Sequence, residues 1–560
     1  MRRSIFRLPT VACFLLLLLA LAWADDAKPV DINLDLAGAD QLYRAGKFAE
    51  AETGYQSILE KNPGVVAAEA GLVRAMLQQQ KVDEAFAAVN SALATQPGST
   101  ALLTAKGDVQ FRRGELAEAE VSYLAAKKLD RNDVKAYLGL ARIYRSFSLY
   151  RHAYDQLMSA HQIAPQNIEV QRAWMGMLSR KEKLAALQAY LAGPHPDDER
   201  ETKWMQEYLE FLKATADKPI HACRLSSKVE HTQTKLQTMY TDPQHIRGIG
   251  ITVRLNSHNA RLQLDTGAGG IIVSRKVAEK AGLTRISPLH YGGIGDQGLR
   301  SGYSAVADHI RIGQLDFEDC VVYVTDRGSV ADEDGLIGAD VFSAYLVDLD
   351  LPGMRLNLAP LPKRPEDEVA PTSLNSEGEE PARAEQKESG SEQQGGKTDN
   401  PPPVKAAQYL PRDRYVAPEM SNWTKVFRFG HMILVETSVN DSNPMLFGLD
   451  TGAFSNILSV RAGRQVTKVG ADETLRVRGV DGYVKKVYSA DRAILQFGHL
   501  RQNNPNIVTL DLSTLSRDTG TEVSGFLGFA MLRLLDVKLD YRDGLVDFEY
   551  NPNRVLRIPH

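Results

Sequence analysis

Two stretches of this 560-residue chain repeat one short polar sequence between apolar runs: residues 262–274 read LQLDTGAGGIIVS and residues 447–459 read FGLDTGAFSNILS. Each places an aspartate, Asp265 or Asp450, where an apolar strand runs into a glycine-containing turn and out into a second apolar strand. A single carboxylate ionised at neutral pH cannot serve as both base and acid. Two that share one proton are driven to different apparent pKa values and divide the roles. The ionised member takes a proton from an attacking water; the protonated member hydrogen-bonds the carbonyl under attack and later helps protonate the leaving nitrogen. Such a pair needs no metal and no organic cofactor, and because it titrates as a unit it predicts an acid-shifted pH optimum.

The elements that follow each aspartate recur in the same order. A glycine-rich turn lies about thirty residues on, at Gly292-Gly293-Ile294-Gly295 in the first copy and Gly479-Val480-Asp481-Gly482 in the second. Strands are predicted over 308–312 and 491–497, then Leu336-Ile337-Gly338 followed by a strand over 346–350, matched by Phe526-Leu527-Gly528 and a strand over 535–540. Gly338 to Gly528 and Asp350 to Asp540 span equal distances along the chain, so this half is an internal duplication.

These residues resemble the retropepsin and pepsin superfamily of aspartic peptidases, over roughly 228–560 apart from a linker. The resemblance implies two all-β lobes, 228–361 and 409–560, that hydrolyse peptide bonds of a protein or peptide substrate. It implies Asp265 and Asp450 as the catalytic pair, with Thr266 and Thr451 hydrogen-bonding across the two loops and Gly267 and Gly452 allowing their tight backbone. The glycine-rich turns then become flaps, made by Gly293, Ile294 and Gly295 and by Val480, Asp481 and Gly482. Gly269 and Phe454 depart from the viral enzymes, which often carry an acidic residue there. A pepsin-like scaffold without activity, clamping peptides or adapting partners in the cell envelope, is the competing reading.

The first half is of another kind. From Ala37 to Leu191 the chain is rich in Ala, Leu, Glu, Lys and Gln and repeats every 34 residues: Pro63, Pro97, Arg131 and Pro165 keep one phase, Ala51, Ala85, Ala119 and Ala153 a second, Gly71, Ala105, Gly139 and Ala173 a third. Phe48, Val82, Leu116 and Tyr150, then Tyr55, Val89, Tyr123 and Leu157, complete the register with apolar residues. Each unit is expected to be a helical hairpin that buries its face on its neighbour. This resembles the tetratricopeptide repeat family and implies an all-α solenoid over 37–216, whose concave face takes a protein partner or which serves as a spacer.

Outside these two halves the chain offers less chemistry. Arg2, Arg3 and Arg7, an apolar run over 11–22 and Ala22-Trp23-Ala24 read as a cleavable export signal over 1–24, too short to span a membrane stably, which places the mature protein in the periplasm or the medium. Removing it leaves 63 basic against 70 acidic residues, a balance that argues against nucleic acid as a partner. Cys223 and Cys320 then remain, compatible with a disulfide or with two separate buried thiols. Residues 362–408, dominated by Glu, Ser, Gly, Gln, Lys and Pro without an aromatic, read as a disordered linker long enough for the lobes to pair within one chain or between chains. His195-Pro196-Asp197-Asp198 resembles a metal-binding signature of sugar deacetylases, but it follows a helical run rather than a buried strand. Asp197 or Asp198 suits an N-cap for a helix from Glu199.

Overall fold

A computed structural model describes residues 32–216, 223–242, 245–292, 294, 300–325, 334–365, 410–479 and 482–554. The residues read as an export signal, 1–24, and those read as a linker, from 366 onward, lie outside them. Among the described residues no helix is long and apolar enough to cross a membrane.

Helix starts obey the 34-residue period. Val66, Thr100, Val134 and Ile168 open the first helix of successive hairpins, and Phe48, Val82, Leu116 and Tyr150 open the second. Pro63, Pro97, Arg131 and Pro165 each lie two residues beyond the end of a second helix, where the chain must turn. The small-residue phases have a packing reason. A side chain at Gly71 would collide with the ring of Tyr55, and one at Gly139 with the ring of Tyr123. Both rings are buried, as are Ala51, Ala85 and Ala119. The period also organises charge: Asp108 accepts from Arg74 Nε at 3.2 Å and from Arg142 Nη2 at 2.8 Å, one repeat before and one after, and from Tyr123 Oη at 2.7 Å. The array closes with the helix Glu199–Ala214, capped by Asp198, whose carboxylate accepts from Glu201 N at 2.8 Å. Asp197 is buried instead, accepting from Tyr190 Oη at 2.6 Å.

The second half forms two sheets of one design and a third that joins them. In the first lobe, strand His258–Asp265 pairs in parallel with Gly335–Gly338, which also pairs antiparallel with Ile271–Ser274. In the second, Met445–Asp450 pairs in parallel with Gly525–Gly528, which pairs antiparallel with Ile457–Ser459. The register is identical: Gly338 stands opposite Asp265, Gly528 opposite Asp450. The joining sheet has six strands, and its central pair, Tyr345–Asp350 with Leu535–Asp540, takes one strand from each lobe. The lobes therefore pair within one chain, and a continuous apolar core runs from Leu264 and Phe342 to Leu449 and Phe529.

Both ends of the linker meet at one residue. Arg364, Arg414 and Tyr415 all bond to Asp543 in the turn after the joining strand. Cys223 and Cys320 form a disulfide, tying the short strand Arg224–Leu225 to the sheet edge Leu315–Thr325.

The two halves of the molecule are packed together. Phe111, Leu116, Tyr123 and Ile143 of the repeats share an apolar cluster with Met432, Leu434, Leu446 and Phe526 of the second lobe. Thr521 Oγ1 donates to Phe111 O at 2.6 Å, and Arg461 bridges Asp83 and Glu522 at 2.6 and 3.1 Å. The last helix reaches the first lobe, where Glu207 accepts from His290 N at 2.8 Å and also pairs with its ring.

Candidate active site

The strand that ends at each aspartate is buried over the residues just before it, Leu262 to Leu264 and Leu446 to Leu449, so its last residue emerges at a fixed place and the following turn is the first backbone free to bend. The parallel neighbour ends at a glycine because nothing larger fits. A side chain at Gly338 would strike the Ala268 carbonyl, and one at Gly528 the Ser455 carbonyl.

The two loops are locked by a reciprocal exchange. Thr266 N donates to Thr451 Oγ1 at 3.1 Å and Thr451 N to Thr266 Oγ1 at 3.0 Å. Each hydroxyl donates in turn across the lobe boundary, Thr266 Oγ1 to Leu449 O at 2.9 Å and Thr451 Oγ1 to Leu264 O at 2.8 Å. Both threonines are buried, so all four bonds form away from water, where an unmade one costs most.

This lock sets the carboxylates against each other. A side chain at Gly452 would fall on the Asp265 carboxylate, and one at Gly267 would come within 2.9 Å of Asp450 Cγ. Glycine is thus required at both positions by the opposite aspartate; neither has a positive φ, so the tight backbone expected of them is not the reason. Each carboxylate accepts from its own loop: Asp265 Oδ1 from Gly267 N at 2.9 Å, Asp450 Oδ1 from Gly452 N at 2.9 Å and Ala453 N at 2.8 Å. Burial and then the charge of Asp450 push Asp265 well above the usual carboxylate range, while burial raises Asp450. Two backbone N–H donors reach Asp450 Oδ1 against one at Asp265 Oδ1, which favours the charge on Asp450 and leaves the shared proton to Asp265.

Of the flap residues, Ile294 and Gly482 are described; Gly293, Gly295, Val480 and Asp481 lie outside the described residues. Gly482 (φ +95°) lies in the short hairpin Arg478–Gly479 with Gly482–Tyr483, and a side chain at Gly479 would strike the Ile294 carbonyl. The two flap hairpins therefore touch, one from each lobe.

Sequence reasoning missed the groups that hold the loops from outside. In the second lobe, Asn456 Oδ1 accepts from Gly528 N at 2.8 Å while its amide donates to Gln502 and Asn504 at 2.8 and 2.9 Å. In the first, Asp340 takes the Gly270 N–H at 3.0 Å, and His431, from the second lobe, lies against Gly269. Asn456 stood inside the quoted motif and was the one legible signal; Asp340 and His431 carry none, being far from the motif in sequence.

Residues 251–341 match a family model described as aspartyl protease, and residues 42–109 one described as tetratricopeptide repeat. The chain carries an aspartyl protease domain behind tetratricopeptide repeats. The matched protease span contains Asp265; Asp450 is tied to it by the duplicated register and the threonine exchange. DNA damage-inducible protein 1 of Kluyveromyces lactis is 26% identical over 175 residues, 30% of this chain and 41% of that protein. Cellulose synthase operon protein C of Pseudomonas fluorescens is 27% identical over 140 residues, 24% of this chain and 11% of that protein. The chain thus spans less than half the length of either relative. Among solved structures, an aspartic proteinase from Irpex lacteus aligns over 57% of this chain and 98% of its own at 11% identity (TM-score 0.32). A tetratricopeptide repeat protein from Thermus thermophilus aligns over 30% and 93% at 20% identity (TM-score 0.25).

Proposed function

We propose that the protein is an exported aspartic endopeptidase in which Asp265 and Asp450 form one shared catalytic pair. The observation that carries the reading is the reciprocal Thr266–Thr451 exchange, which sets two half-buried carboxylates face to face. Asp450, favoured as the ion by two backbone N–H donors, takes a proton from the attacking water; Asp265 holds the proton that hydrogen-bonds the scissile carbonyl oxygen. As the tetrahedral species collapses, the leaving nitrogen is protonated from the pair and the starting state returns. Both carboxylates are raised, so the singly protonated pair persists to higher pH than two free aspartates would allow, and activity is lost as pH rises through the upper apparent pKa.

Export is supported by the basic-apolar-small N-terminus and by the Cys223–Cys320 disulfide, a bond that persists in oxidising compartments. The repeats recruit a protein substrate or partner on surface left free by the second lobe.

The test is cleavage of an unstructured peptide library between pH 3 and 8 by the mature protein, Asp265→Asn and Asp450→Asn. Wild-type cleavage on the acid side, with each single variant reduced by ~10³-fold or more, is the expected result. A folded wild type that binds peptide without cutting it, indistinguishable from both variants, would replace this reading with a peptide-clamping scaffold.

A further inference from the structure

The duplication makes the two aspartates equivalent in sequence, yet their surroundings differ. The second lobe's loop is braced by Asn456. At the corresponding place the first lobe has Ile271, and its loop is braced by groups that the second lobe lacks: Asp340, where the second lobe has Ala530, and His431, which comes from across the lobe boundary.

His431 follows Gly430 (φ +61°) in the tight turn between strands Phe427–Phe429 and Met432–Val439. Its ring lies flush on the first lobe's loop: a side chain at Gly269 would sit 2.8 Å from its Cγ and Nδ1. That is why glycine stands where the viral enzymes often carry an acid. The backbone of Gly267, two residues past Asp265, also meets the ring as a partner that favours its charged form. The same residue's N–H donates to the Asp265 carboxylate. Asp340 faces the ring from the 3-10 turn Ala339–Phe342, and Arg428 faces it from its own hairpin. Tyr541, at the end of the joining strand, lies in the field of Asp340, Arg428 and Asp265.

Resting on the aspartic-peptidase reading, we propose that His431 is a positioning residue for Asp265: its imidazole, delivered from the second lobe, fixes the Gly267 peptide and makes the two aspartates unequal. The ring meets the first loop at Gly267 and Gly269, and the Gly267 N–H holds Asp265, so fixing this stretch of backbone sets the orientation of the carboxyl that carries the proton.

Protonation of the ring would undo this inequality. Burial, opposed by the charge of Asp340, keeps His431 below the ordinary imidazole range, so the ring gains its proton at lower pH than a free imidazole does. As pH falls through its folded value, a cation appears against the loop whose Gly267 N–H holds Asp265, and it favours the ionised form of the group that must keep its proton. Turnover therefore falls on the acid side in step with the ring.

The full-length protein is assayed with a peptide it cleaves, as wild type, His431→Leu, His431→Gln and Gly269→Ala, with kcat and KM taken from pH 3 to 8 and folding followed by circular dichroism. His431→Leu is expected to lower kcat ~30-fold with KM within about threefold, because a mispositioned reacting group loses rate rather than binding. His431→Gln keeps a donor without a titration; its kcat stays within about threefold near the optimum and its acid limb extends to lower pH. Gly269→Ala displaces the ring without removing it and reproduces the kcat loss, which keeps the test decisive if the leucine variant misfolds. An unmoved acid limb in His431→Gln together with unreduced kcat in Gly269→Ala overturns the proposal while leaving the peptidase reading intact, provided Asp265→Asn is dead. A silent wild type overturns both.

Discussion

The threonine hydroxyl in each loop makes two bonds across the lobe boundary, and this sets what its removal should do. Thr266→Ala removes a donor to Leu449 O and an acceptor for Thr451 N, orphaning a buried carbonyl and a buried N–H. The loss should destabilise the protein by ~2–4 kcal/mol in urea unfolding, whereas Thr266→Ser, which keeps the hydroxyl, should cost under ~1 kcal/mol. Equal costs for the two variants would mean that the methyl packing, not the exchange, holds the loops. The threonines, like the aspartates and glycines, were legible in the sequence because the motif occurs twice and each copy vouches for the other. His431 was not. A lone histidine before an apolar strand has no spacing that points to a loop more than 150 residues earlier, and only the pairing of the lobes brings it to Gly269. The cysteines fall between: their types were readable, but their pairing depended on a sheet edge the sequence does not draw.

Elements were read better than the contacts between them. The 34-residue period placed every hairpin because it is enforced by packing at each repeat, and the equal spacing of Gly338, Gly528, Asp350 and Asp540 foreshadowed a shared register because the joining sheet uses both copies alike. What the joining strands do with their charges was hidden. Asp540 ends the strand Leu535–Asp540 fully buried; its Oδ1 accepts from Asp543 N at 2.9 Å and its Oδ2 is buried without a partner. Burial and then the neighbouring charge of Asp543 push it up to about 6. An acid whose folded pKa lies above its unfolded value weakens the fold once ionised, so the penalty is full above pH ~6 and disappears as pH falls below ~4. Asp540→Asn keeps the Oδ1 acceptor and removes the charge. It should stabilise the protein by ~1–2 kcal/mol at pH 7.5 and have no stabilising effect at pH 4, read from urea midpoints at the two pH values. A gain that persists at pH 4 would locate the effect in packing rather than ionisation.

At the scale of the whole molecule, the repeats are built into the peptidase half rather than strung before it. The hairpin that carries His431 is gripped from the repeat side: Phe427 packs on Phe147 at 5.2 Å between ring centroids, Phe429 on Phe111 at 6.0 Å, and Arg428 donates to Tyr150 Oη at 3.1 Å and to Tyr541 O at 2.6 Å. One short element therefore touches the helical array on one side and the first lobe's Asp265 loop on the other. No composition or period announces such a contact, since phenylalanines at helix ends look like ordinary repeat core until the lobe that covers them is in place. On the proposed peptidase reading, this arrangement predicts that the repeats influence turnover without binding substrate. Phe111→Ala with Phe147→Ala should leave the repeats helical, speed hydrogen exchange at the amides of residues 427–432 by about tenfold or more, and lower kcat in the same direction as His431→Leu. If exchange accelerates while kcat holds, the hairpin moves without consequence and the array is a scaffold. If neither changes, the aromatic contacts are dispensable and the rest of the interface, including the Arg461, Thr521 and Glu207 contacts, fastens the two halves.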